Sequence, residues 1–239
     1  MGAALAAILA GAAPAHVSLA ASPAHVALAP GGRQLVHVTA RGGETIQVRA
    51  GVLGFAFDLR GRPTIGESTP ASRRLRVSPS VVTVGRHGAD VTVTARRVPG
   101  TRAGDHSAVL LLTATAPTTG VRVRVRVGLI VTVRVPGPIV HELVIDDVRT
   151  RRSVRARWIE IVVANRGNIV ELLDAQRIHA TVLQGARVVA RLRAGRRMVL
   201  PHARALFRLP VARGIRGRAT LRVETTAEAP ALRSIRLLL

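Results

Sequence analysis

Residues 121–127 read Val-Arg-Val-Arg-Val-Arg-Val, and this alternation decides the fold class. Apolar and polar residues alternate with period two, which is the period of a β-strand with one buried face and one exposed face. The same pattern returns along most of the 239 residues, and segments rich in glycine and proline separate its occurrences. Many short strands at regular spacing predict an all-β protein built from sandwiches.

The composition limits how such sandwiches can be built. Apolar residues make up 48% of the chain but aromatic residues only 2%, so the cores must consist of valine, leucine, isoleucine and alanine. The length suits two sandwiches of about 100 residues each. The absence of cysteine excludes disulfides, thiolate metal sites and cysteine nucleophiles.

The stretch Pro136-Gly137-Pro138 is the predicted boundary, because it resists regular strand pairing. We expect one Ig-like β-sandwich over residues 16–135, a linker over 136–138 and a second Ig-like sandwich over 139–239. Residues 1–15 are apolar and uncharged and end in Ala13-Pro14-Ala15, which predicts a signal peptide and therefore export. This apolar run is shorter than the roughly 20 residues of a membrane-spanning helix.

Four segments carry more specific strand predictions. The strand over Leu75–Val84 is interrupted by Pro79, which indicates an edge strand or a crossing between two sheets. The run Asp105–Ala116 is nearly continuous in apolar residues, as in a central strand, and Val121–Val135 is expected to pair with it. Leu35 opposes Val36 and Val38, so the strand over 34–40 is expected to be covered on both faces.

Several of these segments resemble those of known secreted bacterial proteins. The resemblance rests on Ser22–Gly32, Val77–Val84, Ala103–Leu111, Ile161–Asn168 and Val199–Pro201, and it spans nearly all of residues 20–226. The chain resembles secreted Ig-like proteins related to pilus-type periplasmic chaperones and to the WxL-interacting surface proteins of Gram-positive bacteria. The resemblance implies two Ig-like domains and a protein-binding role. Its motifs are turn signals, which are specific for fold and weak for activity.

The charge of the chain is extreme. All 36 basic residues are arginine, there are only 13 acidic residues, and the formal net charge is +23. Such a chain attracts polyanions in a salt-dependent way. Specific nucleic-acid binding is not expected, because base-stacking aromatic residues are nearly absent and no recognition-helix pattern occurs. The remaining partners are another surface or secreted protein, an anionic wall polymer or an acidic membrane surface. A solvated strand face produced by GC-rich coding bias is an equally open interpretation.

No pattern in the sequence predicts an enzyme, a metal site or a cofactor. Asp105-His106-Ser107 contains the residue types of a hydrolase triad, but successive strand residues point to opposite faces and cannot converge. His25 and His37 could lie on neighbouring strands, yet no metal-binding spacing accompanies them.

Two further features are given structural interpretations. Trp158 is expected to fill the second core. The segment Asn165–Asn168 is expected to form a tight turn, with asparagine and glycine in left-handed conformations.

The sequence therefore predicts an exported, non-catalytic protein of the bacterial cell envelope that binds other proteins in a chaperone-like or scaffold role. The predicted mechanism is β-augmentation, in which a partner strand pairs with the exposed edge of Val121–Val127. Arg122, Arg124 and Arg126 would supply charge complementarity to that partner. The alternative is a charge-driven binder of anionic cell-wall polymer or another polyanion.

Overall fold

The computed structural model describes residues 18–41, 45–118, 121–154, 156–212, 214–226 and 231–238. Over these residues the chain forms two Ig-like β-sandwiches in tandem, which confirms the all-β fold class. The predicted signal peptide over residues 1–15 lies outside the described residues. In the described part of the chain, no helix has the length and apolar character needed to cross a membrane.

The first sandwich packs a four-stranded sheet against a five-stranded sheet. The four-stranded sheet has the order β1 (Ser18–Ser22), β3 (Arg33–Arg41), β9 (Ala89–Ala95) and β7 (Leu75–Ser78). The five-stranded sheet has the order β2 (His25–Leu28), β11 (Val121–Val135), β10 (Gly104–Thr118), β4 (Ile46–Leu53) and β8 (Val81–Val84). A separate short hairpin joins β5 (Phe55–Phe57) to β6 (Pro63–Ile65).

The second sandwich packs a three-stranded sheet against a four-stranded sheet. The three-stranded sheet has the order β12 (Leu143–Arg152), β13 (Arg157–Asn165) and β18 (Arg204–Val211). The four-stranded sheet has the order β16 (Arg187–Arg193), β15 (Ile178–Gln184), β19 (Arg218–Thr225) and β20 (Leu232–Leu238). A further pair joins β14 (Glu171–Leu173) to β17 (Arg197–Val199).

Each sandwich has its own aliphatic core, as the composition predicts. The buried residues of the first core run from Leu19 to Val133, and those of the second run from Leu143 to Val223. The largest fully buried side chains are almost all leucine, isoleucine and valine. Alternation along the strands produces this arrangement, because every second residue points inwards.

The strand pairings bear out two sequence predictions. β10 and β11 pair along their full lengths, with Leu110 opposite Leu129. On either side of Pro79, β7 and β8 belong to different sheets, so the chain does cross between sheets at this proline. Proline lacks the N–H that a continuing ladder would need.

Other predictions about strands are wrong or incomplete. The strand over 34–40 is covered on one face only: Val36 and Val38 are buried, whereas Leu35 is 57% exposed. The sequence pattern also missed the short strands β1, β5, β6, β14 and β17 and the last strand, β20. The strands β5, β6, β14 and β17 have three residues each and are too short to display a period, so their register comes from neighbouring segments.

Candidate protein-binding edge and the junction beside it

The N-terminal part of β11, residues 121–129, has an open edge. β10 pairs with β11 on one side along its whole length, whereas β2 pairs with the other side only at Ile130–Val133. Among the described residues, no strand pairs with residues 121–129 on that second side. Every second residue there points its N–H and C=O groups away from β10, so these groups have no ladder partner in any described strand.

Pro23 accounts for the end of the β2 pairing. It lies between β1, which pairs with β3 in the four-stranded sheet, and β2, which pairs with β11 in the five-stranded sheet. A proline has no N–H to donate to a ladder, so the chain changes sheets here. This change leaves the edge of β11 without a ladder partner beyond the point where β2 begins.

The two faces of the open strand differ in polarity. Val125 and Val127 are partly buried and pack against the first core. Arg124 and Arg126 are exposed on the opposite face, opposite Thr115 and Thr113 of β10. In the described part of the chain no carboxylate pairs with either arginine. The backbone of Arg122 belongs to β11, but its side chain lies outside the described residues.

A buried aspartate joins the two sandwiches next to the base of this strand. The side chain of Asp105 is only 1% exposed and receives two hydrogen bonds from the Arg134 guanidinium, both 2.8 Å long. Its second carboxylate oxygen accepts a 2.8 Å hydrogen bond from the Val170 N–H of the second sandwich. The backbone N–H of Asp105 donates to the Asn168 carbonyl at 2.7 Å.

These contacts determine the charge state of Asp105. Burial by itself would raise the pKa of this carboxyl group, but the hydrogen bonds from Arg134 and Val170 outweigh it and hold the pKa below its usual value. The same hydrogen bond with Asp105 raises the pKa of Arg134. Asp105 therefore remains ionised and links the first sandwich to the second.

Asn168 forms a second link across the junction. Its Nδ2 donates to the carbonyls of Pro138 (2.8 Å) and Ala103 (3.2 Å), and its Oδ1 accepts from the Val140 N–H (2.8 Å). Gly104 has a positive φ of 116°, and a Cβ at this position would overlap the Asn168 carbonyl oxygen. Strand periodicity did not predict this link, because Asn168 acts from a loop.

The loop that carries Asn168 differs from its predicted conformation. Neither asparagine nor Gly167 adopts a positive φ, so the left-handed turn expected for Asn165–Asn168 is wrong. The buried Asn165 amide instead donates to the carbonyls of Ile169 (2.7 Å) and Val199 (3.1 Å). Glycine is needed at 167 because a Cβ there would overlap the Val140 carbonyl.

The residues weighed for catalysis or metal binding do not come together. Asp105 bonds Arg134, the His106 ring contacts the Arg102 carbonyl at 2.9 Å, and Ser107 contacts Thr132 at 3.0 Å. These three neighbours therefore engage different partners.

The two histidines considered as a pair are also separated. His25 lies on β2 and contacts Thr132, whereas His37 lies on β3, in the opposite sheet, and contacts Asp90. No group of three or more potential metal ligands occurs among the described residues.

Trp158 does not fill the second core, so that prediction is wrong. Along β13 the inward positions are Ile159, Ile161 and Val163, and Trp158 lies on the other face with Glu160. Its indole N–H donates to Glu160 at 3.3 Å, and the Arg208 guanidinium carbon lies 5.8 Å from the ring centroid. The core aromatic residue is Phe207, which is 2% exposed.

On the outer face of β13, Glu160 forms ion pairs with two arginines. Its carboxylate pairs with Arg208 at 2.9 Å and with Arg151 at 3.3 Å. Desolvation raises the pKa of Glu160, but the hydrogen bonds from Trp158, Arg151 and Arg208 prevail and lower it. This outer face is therefore a network of ionised groups.

Comparison with solved structures shows what the fold is similar to. The YadV chaperone has a TM-score of 0.51 at 10% sequence identity, with 92% of this chain and 99% of that chain covered. The class 5 fimbriae chaperone CfaA has a TM-score of 0.52 at 13% identity, with 91% and 98% covered. A chain from a chaperone–tip adhesin complex of CFA/I fimbriae biogenesis has a TM-score of 0.51 at 12% identity, with 92% and 98% covered.

Sequence comparisons add no further relative. No protein-family model matches the chain, and none of the curated proteins matches it. At these low identities the structural likeness establishes the shared fold of fimbrial chaperones. The predicted likeness to WxL-interacting proteins stays a prediction.

Proposed function

We propose that this chain is an exported, non-catalytic protein of the bacterial cell envelope that binds another protein in a chaperone-like role. The observation that carries the proposal is the open edge of β11 over residues 121–129. A partner strand would pair with this edge and complete the ladder that β2 leaves unfinished. The fold shared with fimbrial chaperones supports a binding role of this kind, and one of those solved structures is a complex with a tip adhesin.

The side chains of β11 suggest what the partner strand must offer. Val125 and Val127 are only partly buried, so apolar residues on the same face of an incoming strand would extend the first core past its present edge. Arg124 and Arg126 lie on the opposite face and, together with Arg122, would favour acidic or polar residues there. The expected partner is therefore an extended segment with alternating apolar and polar residues.

The domain limits form part of the same proposal. We retain residues 1–15 as a signal peptide, 16–135 and 139–239 as the two sandwiches, and 136–138 as the linker. The separate cores that end at Val133 and begin at Leu143 support these limits. A signal peptide would deliver the chain to the compartment in which an envelope partner occurs.

The test is capture of a partner from the native envelope by cross-linking and pull-down. The triple variant Arg122→Ser, Arg124→Ser and Arg126→Ser should reduce capture about tenfold, since exposed charge pairs contribute up to about 1 kcal/mol each. Thermal stability should change little, because Arg124 and Arg126 are exposed and have no ion-pair partner among the described residues.

A matched control separates this edge from general basicity. The variant Arg187→Ser, Arg191→Ser and Arg193→Ser removes the same charge from β16, another edge strand. It should leave capture unchanged, and the complex formed by the unsubstituted chain should resist moderate salt. Equal losses in both variants, or binding to every anion that vanishes with salt, would favour the polyanion-binding alternative. Capture unaffected by the β11 substitutions would refute the proposed role of these arginines.

A further inference from the structure

A cleft lined by arginines lies where the β5–β6 hairpin meets the second sandwich. Its volume is about 370 Å³, and its apolar wall includes Leu206 and Phe207. Every charged side chain that lines it, within the described part of the chain, is an arginine. We call it the arginine cleft, and its five arginines are Arg60, Arg62, Arg196, Arg197 and Arg208.

The hairpin loop that carries two of these arginines is tightly held. Asp58 Oδ1 accepts hydrogen bonds from the backbone N–H groups of Arg60 and Arg62, both 2.8 Å long. The Gly61 N–H donates to the Asp58 carbonyl at 2.9 Å, and Gly61 has a positive φ of 77°. The hydrogen bond from the Arg62 N–H is the main cause of the lowered pKa of Asp58. Asp58, the one carboxylate in this loop, therefore binds backbone N–H groups of the loop.

The loop is also docked on the second sandwich. The Leu59 carbonyl accepts a 2.7 Å hydrogen bond from the Leu206 N–H, on the free edge of β18, and a 3.1 Å hydrogen bond from Arg197 Nη1. Arg60 and Arg62 therefore come from the first sandwich and face arginines of the second across a fixed gap. The cleft requires both sandwiches.

Among the described residues, only one of the five arginines forms an ion pair with a carboxylate. Arg208 pairs with Glu160, and Arg197 bonds the Leu59 carbonyl while its guanidinium carbon lies 5.7 Å from the centroid of the Phe207 ring. In the described part of the chain, Arg60, Arg62 and Arg196 form no ion pair with a carboxylate. Asp58 attracts Arg60 and Arg62 electrostatically but forms no ion pair with either in the described structure. Three exposed cations therefore line one gap without a direct salt bridge, and an anion bound there would be stabilised by all three.

We propose that the arginine cleft binds a phosphate-bearing anion. Guanidinium groups donate paired N–H bonds whose geometry matches phosphate oxygens, and arginine remains charged at every physiological pH. A group with several negative charges can contact arginines of both sandwiches at once, so binding also ties the sandwiches together. The source is either a soluble phosphate compound or the headgroup of an anionic lipid.

The only tryptophan of the chain is placed to report such binding. Trp158 lies beneath the Arg208 guanidinium in the adjoining cleft, which shares Arg60, Leu206 and Arg208 with the arginine cleft. An anion that engages Arg208 changes the electrostatic surroundings of the indole ring. Intrinsic fluorescence therefore gives a readout without labelling.

The test is a titration of the full chain with tripolyphosphate at low ionic strength, in which Trp158 fluorescence reports binding. We expect saturable binding of one anion per chain that weakens as salt rises. The variant Arg60→Gln, Arg62→Gln and Arg196→Gln should bind about tenfold more weakly or less, since each removed bond is charge-assisted. Arg197 and Arg208 are left in place because they also hold the structure together.

The matched control removes the same charge from β16 with Arg187→Gln, Arg191→Gln and Arg193→Gln. It should bind tripolyphosphate as the unsubstituted chain does. Equal weakening in both variants, or no saturable binding, would overturn the proposal. Unchanged urea unfolding midpoints show that the cleft variant is folded; if it is not folded, each single substitution is titrated instead.

Flotation with vesicles distinguishes the two sources of phosphate. Phosphatidylcholine vesicles with and without phosphatidylglycerol are compared, using the cleft variant and the β16 control. Phosphatidylglycerol-dependent binding that only the cleft variant loses assigns the site to lipid headgroups. Tripolyphosphate binding without vesicle binding assigns it to soluble phosphates. The arginine cleft is separate from the edge of β11, so either proposal can fail while the other stands.

Discussion

Replacing Asp105 with asparagine removes the charge from the carboxylate that joins the two sandwiches. The unsubstituted side chain accepts three hydrogen bonds of 2.8 Å, two from Arg134 and one from the Val170 N–H, while it is 1% exposed. Asparagine retains one acceptor oxygen, but its NH₂ group must face another donor. The variant therefore loses at least one charge-assisted bond and weakens the others.

The expected loss in the free energy of unfolding follows from these contacts. Hydrogen bonds to charged groups contribute about 1.5–3 kcal/mol each, and breaking a fully buried ion pair costs about 3–5 kcal/mol. Arg134 is 55% exposed and regains hydration in the variant, so we expect the lower part of this range. Asp105→Asn should reduce the free energy of unfolding by about 2 kcal/mol.

Urea unfolding followed by circular dichroism measures this loss, and a surface pair supplies the control. Asp90 contacts His37 at 2.8 Å, but both side chains are about half exposed. Asp90→Asn should therefore cost less than about 0.5 kcal/mol. A similar small loss for Asp105→Asn would refute the inference that this aspartate ties the sandwiches together.

Two further predictions concern acid stability and the backbone at the junction. The pKa values of Asp105 and Glu160 lie below their unfolded values, so the stability that both contribute is complete above about pH 4–5 and is lost as pH falls through the folded values. Urea midpoints measured down to pH 2 should show this fall, and Asp105→Asn should flatten it; a parallel curve would contradict the assignment. Gly104→Ala should cost at least about 2 kcal/mol, because its φ is positive and its Cβ would overlap the Asn168 carbonyl. Gly100→Ala, also at positive φ but with open space around it, should cost only about 1 kcal/mol in the same unfolding assay.

Strand periodicity predicted the parts of the molecule that depend on burial alone. The pairing of β10 with β11 and the crossing at Pro79 follow from the alternation of side chains and from the missing N–H of proline. The same reasoning placed Arg124 and Arg126 on an exposed face. These features depend on local sequence, which a single chain displays directly.

Features that depend on the meeting of distant segments escaped this reasoning. The sequence predicted Trp158 in the second core, yet its register on β13 places it on the outer face, beside a network of charges. The junction uses Asp105 and Asn168, which lie 63 positions apart and have no shared pattern. A signal for Asp105 was present, since an acidic residue at the start of an apolar strand requires buried partners.

The open edge of β11 has a consequence for the chain when it is alone. A valine-rich strand with one open edge is a template for self-association with a second copy of itself. When two copies meet edge to edge, the arginines of one strand approach those of the other, and like charges on adjoining strands repel. If the proposed role of this edge holds, Arg124 and Arg126 would keep copies apart before a partner binds, in the way that gatekeeper residues restrain aggregation. This restraint weakens as ionic strength rises, because salt screens exposed charges.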